Sequence, residues 1–95
     1  MALFVLTCLD KPDSLDLRMA NRPQHLDFIA ANRAAIRAAG PFLNDEGAMC
    51  GSMLIIEAED QAAANALAAA DPYAVAGLFE SVTLRPWKLA VGALA

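Results

Sequence analysis

At 95 residues the chain has room for one domain, spanning 1–95, with a modest core. A net charge of -4 without any cluster of Lys or Arg lacks the basic footprint that nucleic acid requires, and no apolar run approaches the roughly 20 residues of a membrane span, so neither partner is expected. Hydrophobic residues make up 58% of the chain and charged ones 19%, greasy enough that some apolar surface should meet another chain.

Met1-Ala2-Leu3-Phe4-Val5 lacks the basic start and cleavage region of a signal peptide, and Cys8 and Cys50 have neither metal-ligand spacing nor a secretory setting. A cytoplasmic protein with two reduced thiols is the expectation. One histidine and two separated cysteines give a metal too little to bind, and no cofactor motif is present, so no metal or cofactor is expected.

Leu3 to Leu9 is an apolar run bounded by Asp10-Lys11-Pro12-Asp13, long enough only for a strand. From Pro23 to Ala39 the pattern turns helical, with His25, Ile29, Asn32 and Ile36 at i, i+4, i+7 and i+11, which points His25 inward near the helix start. Arg22-Pro23 reads as the N-terminal boundary, with Asp13 to Asn21 left as a further helical turn or an ordered loop, and Gly40-Pro41 as the stop. Phe42-Leu43-Asn44 reads as a short strand, Asp45-Glu46-Gly47 as a turn and Ser52 to Ala58 as a buried strand. Asp60 caps a helix over Gln61 to Ala70, with Ala63, Leu67 and Ala70 as its inward row. Asp71-Pro72 must end that helix, because proline disfavours the α conformation in the residue before it. Asp71 then either caps the next turn or presents its carboxylate to a pocket, two compatible jobs. Ser81 to Leu89 is a last strand whose Pro86 belongs at an edge or a bulge.

The order β-α-β-β-α-β is the split βαβ arrangement of α+β ferredoxin-like folds, an antiparallel sheet with both helices on one face. The start of the first helix then shares an edge with the end of the second, so His25 and Asp71 should converge, with Cys8 and Ser52 nearby. Leu3-Phe4-Val5-Leu6 and Met53-Leu54-Ile55-Ile56 carry apolar side chains on both faces. A homodimer with sheets packed face to face would cover the face the helices leave bare.

Arg22-Pro23-Gln24-His25-Leu26, Gly51-Ser52, and Ala70-Asp71-Pro72-Tyr73 followed by Ala76-Gly77-Leu78-Phe79 resemble the signature of the YCII (YciI-like) family, along almost the whole chain. The resemblance implies a dimeric α/β-barrel type of protein with a ferredoxin-like protomer and an active site built on His25 and Asp71. It also implies kinship in fold with muconolactone isomerase-type dimers, and lyase or dehydrochlorinase chemistry on hydroxylated aromatics in a few relatives. The brief hairpin Asn44 to Cys50, carrying a Met and a Cys, departs from relatives with longer loops.

The residues themselves point the same way. A carboxylate on one ring nitrogen of His25 would fix its tautomer and leave the other nitrogen to exchange a proton near neutral pH. Ser52 would need His25 beside it and an oxyanion hole to act as a nucleophile, and Cys8 would need a cation to depress its pKa. Proton transfer, as isomerisation or elimination, therefore fits better than acyl transfer. Arg22 is a candidate to hold a substrate anion, and Ser52 and Tyr73 to bind substrate. Each also has a plain role, as solvated surface, strand end or core. The alternative to an enzyme is a non-catalytic dimer that binds a small ligand or acts as an accessory subunit, with the His-Asp pair holding the fold.

Overall fold

A computed structural model describes residues 1–94. Its elements are β1 (Ala2–Asp10), α1 (Leu15–Ala31), β2 (Ile36–Leu43), β3 (Met49–Ala58), α2 (Gln61–Ala69), α3 (Pro72–Val75) and β4 (Phe79–Trp87). The strands form one sheet in the order β2-β3-β1-β4, each antiparallel to its neighbours. This is the expected βαββαβ topology, with a short third helix between α2 and β4.

Alternation along the strands decides what the sheet presents to the helices. Phe4, Leu6 and Cys8 of β1 stand opposite Ile56, Leu54 and Ser52 of β3. With Ile36 and Ala64 the apolar members of this set form the core, and Phe28, Leu67, Phe79 and Leu84 pack against it. Leu6, Ile36, Leu54 and Ile56 are essentially water-free, each contributing about 1.5–3 kcal/mol. Between β3 and β1 there is no room for a side chain at Gly51, where a Cβ would stand 2.5 Å from the Cys8 carbonyl oxygen. The opposite face carries Leu3, Val5, Leu9, Met53, Ile55 and Trp87, and none of the helices covers it. No helix among the described residues is long and apolar enough to cross a membrane.

Three expectations are corrected. The first helix begins at Leu15, not at Arg22-Pro23, so Pro23 and His25 lie within it. Pro23 is exposed, where water can serve the carbonyl of Met19 that its missing N–H leaves free. That helix ends at Ala31 rather than Ala39: Asn32 turns back on the Phe28 carbonyl through both its backbone and its side chain, and Ile36 enters the sheet opposite Ile56. Gly40-Pro41 therefore sits inside β2, an edge strand, where a missing N–H is tolerated. In α2 the buried position is Ala64, flanked by half-buried Leu67 and Ala68, while Ala63 and Ala70 are exposed.

Candidate active site

The inward row of α1 is polar. Arg18, Arg22, His25 and Ile29 recur at i, i+4, i+7 and i+11 and line one wall of a cleft of about 220 Å³. Ala39, Gly40 and Pro41 of β2, Ser52 and Leu54 of β3 and Tyr73 of α3 contribute the rest. Small side chains on β2 and polar ones on α1 keep helix and sheet edge from closing on each other. An apolar cavity of about 150 Å³ holds benzene, so this cleft suits one ring with several substituents.

His25 Nδ1 lies 2.9 and 3.1 Å from the two carboxylate oxygens of Asp71. A carboxylate accepts, so Nδ1 is the donor of this contact, and in the neutral ring that leaves Nε2 as the unprotonated nitrogen. Nε2 has no protein partner among the described residues, yet no unpartnered side-chain nitrogen is sealed from solvent. It is therefore the free end of the pair, on a residue that lines the cleft. Asp71 also caps α3, accepting from the Tyr73 backbone N–H at 2.9 Å, with Pro72 at the first helical position. One side chain, 2% exposed, thus serves as the cap and as the partner of His25, and it reaches the cleft only through that histidine.

The ring of Tyr73 stacks on His25 with centroids 4.0 Å apart and planes 18° from parallel, and the Arg18 guanidinium carbon lies 4.5 Å from the same ring centroid. Arg18 and His25 are two turns apart on α1, about 10 Å of rise, so the phenol is a slat held between them. Burial pushes its pKa up, against the pull of Arg18 and Arg22, so it stays protonated at neutral pH.

Arg18 is the functional candidate the sequence reading missed. It is 2% exposed. Asp10 takes its Nε at 2.7 Å and its Nη2 at 2.9 Å, and the same Nη2 donates to Ser52 Oγ at 2.9 Å. The signal was present: carried back to Leu15, the helical row through His25 and Arg22 reaches Arg18. His25, Asp71, Arg22, Ser52 and Tyr73 are all brought to this end of the fold, with Arg22 exposed at its rim. Ser52 bonds to Arg18 rather than His25, which removes it as a nucleophile. Burial, and then the negative Asp71, push the Cys8 thiol up to about 12, so it is no nucleophile either. No group of three or more potential metal ligands occurs among the described residues.

The YCII-related domain family matches residues 2–88. The chain belongs to the YCII family. Protein YciI of Escherichia coli O6:H1 is 40% identical over 94 residues, covering 90% of this chain and 96% of that one. The solved structure of 5-chloro-2-hydroxyhydroquinone dehydrochlorinase (TftG) from Burkholderia phenoliruptrix AC1100, in complex with 2,5-dihydroxybenzoquinone, superposes with a TM-score of 0.85 at 34% identity, covering 93% of this chain and 95% of that one. A dimeric ferredoxin-like protein of unknown function from Jannaschia sp. CCS1 shares the fold alone, with a TM-score of 0.52 at 16% identity over 94% of this chain and all of that one. Membership in the YCII family and the observed topology agree.

Proposed function

We propose that this YCII-family chain is a small-molecule enzyme that moves a proton on a hydroxylated ring or dicarbonyl compound, by elimination or isomerisation, with His25 as the acid/base and Asp71 as its orienting partner. The observation that carries the reading is the His25 Nδ1 contact to both oxygens of Asp71, with Nε2 left to a ring-sized cleft. In this reading Nε2 takes the proton, Asp71 stabilises the resulting imidazolium, and Arg22, Ser52 and Tyr73 bind the substrate. The chemistry asked of the site is proton transfer, which side chains supply without a metal. The resemblance to a dehydrochlorinase supports elimination from the keto tautomer of a chlorinated hydroquinone, in which an enolic O–H proton goes to Nε2 and its electron pair, relayed through the ring, expels chloride from the sp3 carbon. The chain works as one domain in a homodimer joined through the bare sheet face, in the cytoplasm.

The second reading, a dimer that binds a small ligand without turning it over, is favoured by the structural duty of Asp71 as the cap of α3. His25→Asn separates the two. With 5-chloro-2-hydroxyhydroquinone as substrate, the enzyme reading predicts loss of chloride release by at least a hundredfold with the dimer intact. Release absent from the wild type favours the binding reading, and release unchanged by the substitution removes His25 from the chemistry.

A further inference from the structure

The cleft has a neighbour. Between the loop that joins β1 to α1 and the hairpin that joins β2 to β3 lies a second pocket of about 290 Å³, bordered by Lys11, Asp13, Ser14, Leu15, Asn44 and Ala48. Among the described residues Met49 alone lines both hollows. The rest of the wall between them is the Arg18–Asp10 pair, with Arg18 on the cleft and Asp10 on the pocket, joined by hydrogen bonds of 2.7 and 2.9 Å. That part of the wall cannot open without stranding a buried charge. The hairpin is no freer, because the Asn44 side chain accepts from the Glu46 and Ala48 backbone N–H groups at 2.9 and 3.0 Å. Met49 is half-buried, and its unbranched side chain turns about three bonds. It is the one part of the wall that can move by rotating a side chain.

We propose that Met49 is a movable partition between the cleft and this second pocket, and that the site takes ring substrates carrying an uncharged, hydroxyl-bearing arm that reaches past it. The proposal rests on the proposed function for the ring, and adds what the ring carries and which residue admits it. The charges around the pocket balance: Asp10 is paired with Arg18, and Lys11 and Asp13 bear opposite signs. A charged arm would give up its water there without a counter-ion of its own. A hydroxyl both donates and accepts, which matches the Asp13 carboxylate and the Asn44 amide nitrogen, the latter without a protein partner among the described residues.

The test is calorimetric titration with hydroquinone and with 2-(3-hydroxypropyl)hydroquinone, which adds three methylenes and a hydroxyl. On the wild type the arm should tighten binding by about tenfold or more, the yield of burying its methylenes. Ala48→Leu fills the second pocket, and Met49→Ile, stiff at its first side-chain bond, holds the partition shut. Each should erase the gain while leaving hydroquinone within about threefold of its wild-type affinity. Met49→Ala, with no partition, should keep the gain. An arm that fails to tighten wild-type binding, a gain that survives Ala48→Leu or Met49→Ile, equal losses for both rings, or a carboxylate-ended arm that outbinds the hydroxyl-ended one overturns the proposal. The readout is binding, so an arm-selective site in a chain that releases no chloride would sink the enzyme reading and leave the partition standing. Chloride release with the gain absent would do the reverse.

Discussion

Asp10→Asn asks what the buried ion pair at the cleft is worth. Asp10 meets Arg18 through two hydrogen bonds, and the side chains are 6% and 2% exposed. Asparagine keeps the shape and one acceptor but strands the guanidinium without a counter-charge. Removing one partner of a buried pair costs about 3–5 kcal/mol, against about 0.2–1 kcal/mol for an exposed one. The retained acceptor puts the expected loss near 3 kcal/mol, which at about 4–8 °C per kcal/mol lowers the melting temperature of a chain this size by about 12 °C or more. Calorimetric melting at fixed protein concentration reads it directly, because concentration alone shifts the midpoint of any chain that associates. The double variant Asp10→Asn/Arg18→Met should regain part of the loss, since no charge is then stranded. A drop below about 1 kcal/mol in Asp10→Asn, or a double variant worse than the sum of its singles, would show that no buried charge is stranded by the loss of Asp10.

Gly51→Ala drives a methyl against the Cys8 carbonyl oxygen 2.5 Å away, a backbone atom that cannot swing aside, and should cost about 1–3 kcal/mol in urea unfolding. Cys8 keeps its proton when folded up to about 12 and releases it near 9.0 when unfolded, so stability intact below pH 9 falls as pH rises between those values. Cys8→Ala should flatten that alkaline slope in pH-resolved melting. For the same reason, brief alkylation at pH 8 read by mass spectrometry should label the half-buried Cys50 and spare buried Cys8. Met53→Lys places a charge on the bare sheet face and should abolish the proposed face-to-face pairing, leaving monomer where the wild type sediments as a pair.

Much of this architecture was legible because it rests on strong local chemistry. Asp60 and Asp71 announce helix starts through short polar side chains, and both cap as read. The β-α-β-β-α-β order brings His25 to Asp71 even though His25 lies well inside its helix. What escaped did so for a physical reason. A helix that buries Arg18 and His25 has no apolar stripe to reveal its length, and an exposed Pro23 looks like a boundary when solvent can satisfy the carbonyl it orphans. Ile36 kept step with the helical row by coincidence of spacing, while its burial comes from β2. Arg18 was hidden by the same error, because a helix begun at Pro23 does not contain it. Its partners Asp10 and Ser52 come from two different strands, a meeting that only the sheet register discloses.

Asp71 holds His25 through Nδ1, and the proposed proton transfer needs Nε2 bare. Nitrogen-15 NMR of the imidazole, in wild type and Asp71→Asn, tests it most directly. The neutral ring should carry its proton on Nδ1 with Nε2 unprotonated, and that preference should be lost in the variant. A proton resident on Nε2 in the wild type, or a tautomer indifferent to Asp71, would contradict the account.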